Sequence, residues 1–209
     1  MNSFPSLLVD ELVLMRPERD RSYSFTLTAG EWLGIVGPSG IGKSSLLHTL
    51  VGLLPPLGGR VLVEGGNVLG LAPHKREMSI VFQHSMLLGH LTVGKSLLLA
   101  LHDSRLGRGE KQQKIAEHLA MLSLAKEFLR RYPDELSGGE LARCNLAGAL
   151  LREKKILLLD EPFAALNESL RTELGDLLKK LQKERQLTIL AVTHQREEAE
   201  RLSTQLLSC

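Results

Sequence analysis

The residues best suited to chemistry lie in one short segment, Gly37–Ser44, which reads Gly-Pro-Ser-Gly-Ile-Gly-Lys-Ser. It matches the pattern G-x-x-x-x-G-K-[ST] of a phosphate-binding loop. Its glycines allow the backbone to approach a phosphate, and the N–H groups at the start of the next helix surround the phosphate oxygens. We expect Lys43 to reach the β- and γ-phosphates and the Ser44 hydroxyl to help hold Mg²⁺. The segment therefore predicts nucleotide binding.

The residues on either side predict the strand and the helix that such a loop requires. Trp32–Val36 is a short apolar run typical of a buried strand, and Ser44–Leu54 has the composition of an apolar helix. The alternative is a glycine-rich turn that joins a strand to a helix and binds nothing. The complete pattern, together with both flanking elements, favours phosphate binding.

Two acidic residues, Asp160 and Glu161, end a second apolar run, Ile156–Asp160. A run that is apolar at every position is typical of a parallel strand covered on both faces. Ligands of open parallel sheets lie beyond the carboxyl ends of the strands, so we expect both carboxylates near the phosphate-binding loop. Asp160 is then a candidate Mg²⁺ ligand, and Glu161 is a candidate general base that polarises the attacking water. The alternative is a pair of solvated acids at a strand end.

Two weaker signals accompany these segments. Ser137–Glu140, which reads Ser-Gly-Gly-Glu, opens a predicted helix and alone indicates no more than a helix cap, although such an N-terminus can also contact phosphate. His194 follows the predicted buried strand Thr188–Val192 and alone is an ordinary histidine at a strand end. The order of all these segments along the chain is more specific than any one of them.

The elements that must position these residues predict an α/β fold, with a mostly parallel sheet flanked by helices. Residues 7–14 and 23–28 predict an N-terminal antiparallel β portion ahead of the phosphate-binding loop. Helical spacing dominates from about residue 94, as in the amphipathic run Glu110–Leu122. We expect one domain over residues 1–209, with a core of 1–85 and 150–209 and a helical insertion of 86–149.

Composition excludes several classes of function. The chain has 209 residues, 43% of them hydrophobic, which suffices for one domain with a large core. Its net charge of +2 gives no electrostatic reason to expect a nucleic-acid partner. The two cysteines lie far apart and suit a reducing compartment. No run approaches the length of a membrane span, and the N-terminus lacks the regions of a signal peptide, so a cytoplasmic location is expected.

Over nearly its whole length the chain resembles the ATP-binding cassette (ABC) ATPases, and this resemblance implies a P-loop NTPase core. Leu136–Glu140 is similar to the signature motif of that family, with Arg143 in its helix. The resemblance implies that Gln83 is the loop glutamine that contacts Mg²⁺ and senses the partner. It also implies that His194 contacts the γ-phosphate and holds the attacking water with Glu161. The catalytic candidates are Glu161 and His194, and the metal-binding candidates are Ser44, Gln83 and Asp160.

Two segments are similar to those of bacterial importer subunits, loosely of the thiamine type. They are Val81–Val93 and Leu159–Phe163. The resemblance implies a head-to-tail dimer, expected to be a homodimer, that closes on two ATP molecules. Each ATP would contact the phosphate-binding loop of one subunit and the signature residues of the other, which are Ser137, Gly138, Gly139 and Glu140.

The same resemblance implies several partners. Integral membrane subunits would carry the solute, and a substrate-binding protein is a further expected partner. The ATPase would lie peripherally on the inner face of the cell membrane. The apolar residues Met86, Leu87, Leu88 and Leu91 either line the groove that receives the membrane subunits or belong to the core.

The sequence departs from the family pattern at several positions. Glu140 stands where glutamine is usual, Asn167 where aspartate is expected, and Gly148 where arginine is usual. No aromatic residue occupies the place that stacks on adenine, which aligns near Arg16, and Tyr23 is the fallback. The usual closing strands are expected to be absent or reduced to residues 204–209. The candidate ATP-binding residues are Gly37, Pro38, Ser39, Gly40, Ile41, Gly42, Lys43, Ser44, Ser45 and Arg16.

Two other functions share some of these features. A small-molecule P-loop kinase would have the phosphate-binding loop but would not need Leu136–Glu140 or His194. A soluble ABC-type ATPase of DNA repair or translation usually carries a long coiled-coil insertion or two cassettes, and this chain has neither. The sequence therefore favours the ATPase subunit of an ABC transporter, with import as the expected direction.

Overall fold

The computed structural model describes residues 6–14, 20–102 and 104–209. The strands are β1 (Leu7–Leu14), β2 (Arg21–Leu27), β3 (Trp32–Val36), β4 (Gly58–Val63), β5 (Gly66–Asn67), β6 (Met78–Val81), β7 (Ile156–Asp160), β8 (Thr188–Thr193) and β9 (Gln205–Ser208). The α-helices are α1 (Lys43–Val51), α2 (Val93–Ala100), α3 (Arg108–Met121), α4 (Gly138–Leu150), α5 (Glu168–Arg185) and α6 (Arg196–Leu202). Short 3₁₀ turns cover Pro73–Lys75, Lys126–Arg130 and Pro133–Glu135.

The central sheet has the strand order β6-β7-β8-β3-β9, and each neighbouring pair is parallel. Parallel strands end at the same edge of a sheet, where open α/β folds bind their ligands. The segments that follow β3, β6, β7 and β8 therefore meet at one edge. This architecture confirms the expected α/β fold with a mostly parallel sheet.

The apolar run of β7 is explained by burial on both faces of the sheet. Ile156 and Leu158 belong to one core cluster, and Leu157 and Leu159 belong to the other. Successive side chains of a strand point to opposite faces, so both sets have to be apolar when each face is covered. β8 alternates in the same way between the two clusters, and both strands lie in the interior of the central sheet.

A second, antiparallel sheet of order β2-β1-β4-β5 covers one side of the core. Leu7, Val9 and Leu12 of β1 lie in the same cluster as Ile35 of β3 and Leu46 of α1. This sheet confirms the antiparallel portion expected at the N-terminus. It packs against the helix that follows the phosphate-binding loop and so helps to fix that helix.

The segment 86–149, apart from residue 103, which is not described, contains the helices α2 and α3, all but the last residue of α4, and no strand. The buried faces of these helices share a cluster with Leu157 and Ile189 of the central sheet. The helical character is as expected, and the division of the chain into a core and an inserted subdomain stays a prediction.

A short strand, β9, lies within residues 204–209, which agrees with the expectation that the closing strands are absent or reduced to these residues. β9 pairs in parallel with β3 at the edge of the central sheet. The N–H groups of Thr204 and Cys209 donate to the carbonyls of Trp32 and Val36 at 2.8 and 2.9 Å. Most of β9 is exposed, so its sequence carries little of the apolar alternation that would reveal a strand.

Candidate functional site

Four segments that carry candidate site residues follow parallel strands of the central sheet. The phosphate-binding loop follows β3, Gln83 lies just beyond β6, Asp160 ends β7, and His194 follows β8. The register of the sheet pairs Asp160 with Val192, and Val36 with Thr193. The sheet therefore brings segments that are distant in sequence to one edge, as the sequence predicted.

The phosphate-binding loop turns through two glycines in left-handed conformations. Gly40 has a φ of 79° and Gly42 has a φ of 105°, values that residues with a Cβ rarely adopt. Gly42 precedes α1, and no side chain caps the N-terminus of this helix. The first turn of α1 also contains no acidic residue. Its N–H groups and the positive end of its dipole thus suit a phosphate group.

Lys43, the first residue of α1, is 4% exposed. Its Nζ donates hydrogen bonds to the carbonyl oxygens of Gly37 and Pro38 at 2.7 and 3.0 Å. These carbonyls hold the ammonium group against the loop. A bound phosphate can therefore attract a cation that is already positioned beside it.

Ser44 and Asp160 form the contact between the loop and the second strand of the site. The Ser44 hydroxyl donates to Asp160 Oδ1 at 2.8 Å, and Asp160 is 3% exposed. Burial raises the pKa of Asp160 above its ordinary value, while the hydrogen bond from Ser44 opposes this shift. A hydroxyl and a carboxylate are the oxygen ligands that Mg²⁺ prefers, so this pair fits the metal.

His48 is a residue of this site that the sequence analysis missed. Its Nε2 lies 3.6 Å from Asp160 Oδ2, and its ring packs against Phe82 with the centroids 5.4 Å apart. Its position four residues after Ser44 was the sequence signal that could have revealed it, because residues i and i+4 of a helix share one face.

Glu161 and His194 contact each other at the same edge of the sheet. His194 Nδ1 lies 3.2 Å from Glu161 Oε2, and the side chains are 45% and 13% exposed, respectively. Glu161 has a φ of 47°, a left-handed conformation that costs energy in a residue with a Cβ. Its N–H donates to the carbonyl of Val192 at 3.0 Å, which helps to hold this conformation. The contact joins the two predicted catalytic residues.

An open cleft of about 240 Å³ lies between the loop and these carboxylates. Its walls are Ser39, Gly40, Gly42, Lys43, Ser44, Ser45, Gln83 and Glu161. Asp160 adjoins the cleft through Ser44, and His194 adjoins it through Glu161. The structure thus brings together the loop, both carboxylates, Gln83 and His194.

The Ser137–Glu140 segment forms the N-terminus of α4 and is not part of the wall of the cleft. The Ser137 N–H donates to Glu140 Oε2 at 2.7 Å, and the Glu140 N–H donates back to Ser137 Oγ at 3.4 Å. This capping box lowers the pKa of Glu140, mainly through the backbone hydrogen bond from Ser137. Ser137 and Gly138 are exposed, so a second molecule can reach this helix end.

Three further residues that the sequence analysis singled out lie elsewhere than in the wall of this cleft or outside the described residues. Arg16 lies outside the described residues. Tyr23 is 3% exposed and packs in the core, so the fallback that it stacks on adenine is wrong. Asn167 is the N-cap of α5, and its Oδ1 accepts a hydrogen bond from the Leu170 N–H at 2.9 Å.

Comparison with known proteins agrees with this geometry. The profile of the ABC transporter family matches residues 21–164. This chain belongs to the ABC transporter family. As an ABC ATPase it binds and hydrolyses ATP.

Curated relatives resemble the chain over most of its length. The thiamine import ATP-binding protein ThiQ of Histophilus somni is 43% identical over 183 residues, which cover 87% of this chain and 85% of that protein. ThiQ of Vibrio cholerae is 38% identical over 184 residues, which cover 88% and 77%.

Among solved structures, the dimeric bacterial ABC transporter cassette MJ0796 matches this ABC ATPase with a TM-score of 0.86 and 27% identity. The match covers 97% of this chain and 93% of the cassette. A post-hydrolysis state of the same cassette, bound to ADP and Pi, matches with a TM-score of 0.82.

Proposed function

We propose that this ABC ATPase powers the import of thiamine, or of a closely related small cation, through separate membrane subunits. The observation that carries the ATPase part is the convergence of the Lys43 ammonium, Ser44–Asp160 and Glu161–His194 around one cleft. The names of the ThiQ relatives support the choice of solute.

The loop is the part of the site that would hold the phosphates of ATP. Its N–H groups would surround the phosphate oxygens, and Lys43, now bonded to the carbonyls of Gly37 and Pro38, would turn toward the phosphates. Ser44, Asp160 and Gln83 are the residues that would hold Mg²⁺. When bound, Mg²⁺ offsets the negative charge of the phosphates.

Glu161 is the residue placed to accept a proton from the attacking water. As the water oxygen bonds to the γ-phosphorus, the bond to the ADP oxygen breaks, and ADP and inorganic phosphate are the products. The left-handed backbone of Glu161 and its contact with His194 aim the carboxylate toward the loop. His194 would position this carboxylate and contact the γ-phosphate.

The second half of each site belongs to a partner subunit in this proposal. The exposed N-terminus of α4 presents Ser137 and Gly138, which do not line the cleft of their own chain. The capping box occupies the N–H groups of Ser137 and Glu140. The Ser137 hydroxyl and the N–H groups of Gly138 and Gly139, in the first turn of the helix, are the donors that suit the γ-phosphate of a nucleotide held by another copy. The dimeric form of MJ0796 supports a dimer, which we propose to be a head-to-tail homodimer.

Membrane subunits are the partners that would convert ATP binding into transport. In the described part of the chain, no helix has the length and apolar character needed to cross a membrane. Beyond Gln83, Leu88 is 41% exposed, whereas Leu87 is in the core at 9%. We assign Leu88, with the partly exposed Met86 and Leu91, to the surface that meets the membrane subunits on the inner face of the membrane. A substrate-binding protein completes the proposed importer.

The substitution Glu161→Gln tests the ATPase assignment. It keeps the size of the side chain but removes its capacity to accept a proton, so hydrolysis should slow by at least about 100-fold while ATP affinity stays near that of the wild type. The measurements are phosphate release, nucleotide binding, and dimer formation by gel filtration with ATP. Hydrolysis close to the wild-type rate would refute the role of Glu161.

The solute is tested separately from the ATPase. Co-purified membrane subunits reconstituted in vesicles with this chain should make ATP hydrolysis respond to thiamine and its binding protein. A response to a different solute would refute thiamine as the solute and would leave the ATPase assignment intact. Transfer of phosphate to an acceptor, instead of its release, would favour the kinase alternative.

A further inference from the structure

Arg171, in the first turns of α5, contacts three separate segments. Its Nη2 donates to the carbonyl of Leu166 at 2.9 Å, and its Nη1 donates to Gln195 Oε1. Its Nε lies 3.7 Å from Glu198 Oε2. The two hydrogen-bond acceptors lie in the loop before α5 and in the turn after β8, and the ion-pair partner Glu198 lies in α6.

Both hydrogen-bond acceptors belong to the segments that carry the proposed catalytic pair. Leu166 lies in the loop that runs from Glu161 to α5, and Gln195 directly follows His194. The Gln195 N–H is itself held by Thr193 Oγ1 at 3.1 Å. One guanidinium group therefore connects the chain beyond Glu161 to the chain beyond His194.

The surroundings of Arg171 shelter these contacts from water. The Arg171 side chain is 23% exposed, and that of Glu198 is 9% exposed. Burial raises the pKa of Glu198, and the positive charge of Arg171 is the leading influence that opposes this shift. A sheltered, planar group with two hydrogen-bond acceptors and a neighbouring carboxylate holds its geometry better than an exposed ion pair.

We propose that Arg171 is a positioning residue that sets the separation of Glu161 and His194. It does so by fixing the loop at Leu166 and the turn at Gln195 to the same guanidinium group. This inference rests on the proposed roles of Glu161 and His194 in hydrolysis. A lysine has one ammonium group and cannot reproduce the planar set of donors, so Arg171→Lys should restore function only in part.

Arg201 offers a matched control for a merely structural role. It also joins α5 and α6, through a contact between its Nη1 and Asp176 Oδ1, and its side chain is 37% exposed. Its contact involves neither the loop after Glu161 nor the turn after His194. If the helix contact were all that matters, Arg171→Gln and Arg201→Gln would have similar effects.

The first test is steady-state ATP hydrolysis of the full chain, with Tm measured for each variant. We expect Arg171→Gln to lower kcat by at least about tenfold with KM within about twofold of the wild type, because a small displacement of catalytic groups slows the chemical step. The kcat of Arg171→Lys should lie between those of Arg171→Gln and the wild type, and Arg201→Gln should keep the wild-type kcat. A kcat for Arg171→Gln within about twofold of that for Arg201→Gln would overturn the inference.

The second test does not depend on hydrolysis. The NMR signal of the His194 ring, assigned by its loss in His194→Gln, should move in Arg171→Gln and stay in place in Arg201→Gln. An unmoved signal in Arg171→Gln would overturn the inference. If the wild type released no phosphate from ATP, the proposed function would fail, and the ring signal would still decide the role of Arg171.

Discussion

Lys43 shows how a single residue is prepared for its ligand. Its ammonium group is almost fully buried, yet the carbonyls of Gly37 and Pro38 satisfy it. A buried cation without such partners would be costly. The loop therefore keeps a positive charge beside the cleft at little expense to stability.

The substitution Lys43→Ala should remove nucleotide affinity. We expect the Kd for ATP to rise by about 100-fold, because a charge-assisted contact with the phosphates is lost. Lys75→Ala, which removes the same charge from an exposed position, is the control and should bind ATP like the wild type. The measurement is titration with a fluorescent ATP analogue. Equal affinity in both variants would refute the phosphate-loop assignment.

At the scale of the element, Arg76 fixes the helix on which the phosphate-binding loop depends. Arg76 is 5% exposed, and its guanidinium donates to carbonyls at the end of α1 and in the chain before β6. The acceptors and distances are Thr49 at 2.8 Å, Leu50 at 3.1 Å, Leu69 at 2.8 Å and Leu71 at 3.0 Å. Burial lowers the pKa of Arg76, but a guanidinium remains charged at neutral pH.

The substitution Arg76→Ala should therefore destabilise the fold. It leaves buried carbonyls without donors, and we expect the free energy of unfolding to fall by about 3 kcal/mol. Arg60→Ala is the control, because the Arg60 side chain is 66% exposed and pairs with Asp10, so its loss should cost less than about 1 kcal/mol. Urea unfolding measures both variants. Equal losses would show that the carbonyl contacts of Arg76 contribute little.

The strands and the site contacts differ in how well they could be predicted from the sequence. β7 and β8 were predictable, because burial on both faces makes a strand apolar at every position. The hydrophobic pattern did not predict β9, because this strand is mostly exposed and depends on hydrogen bonds with β3. Its place within residues 204–209 followed from the family resemblance alone. In the site, the loop and Asp160–Glu161 follow from local patterns, whereas the contact of His48 with Asp160 depends on how α1 packs against β7. Arg171 was missed for the same reason, because its partners meet only after the sheet and helices have assembled.

At the scale of the whole molecule, the chain presents two separate binding surfaces. The cleft holds Lys43 and Glu161, and the exposed N-terminus of α4 presents Ser137 away from the walls of that cleft. A head-to-tail dimer would join the cleft of one copy to α4 of the other, and such an arrangement closes with twofold symmetry. The proposed site is thus incomplete in a single chain.

Mixing two inactive variants tests this division of the site. Lys43→Ala damages the cleft, and Ser137→Arg blocks the end of α4. A mixed dimer has one site in which both halves are intact, so random pairing should restore about one quarter of the wild-type sites. Lys43→Ala mixed with Glu161→Gln is the control, because both changes damage the cleft and no mixed dimer has an intact site. Phosphate release should therefore recover in the first mixture and not in the second, and failure of the first mixture to exceed its separate components would contradict a shared site.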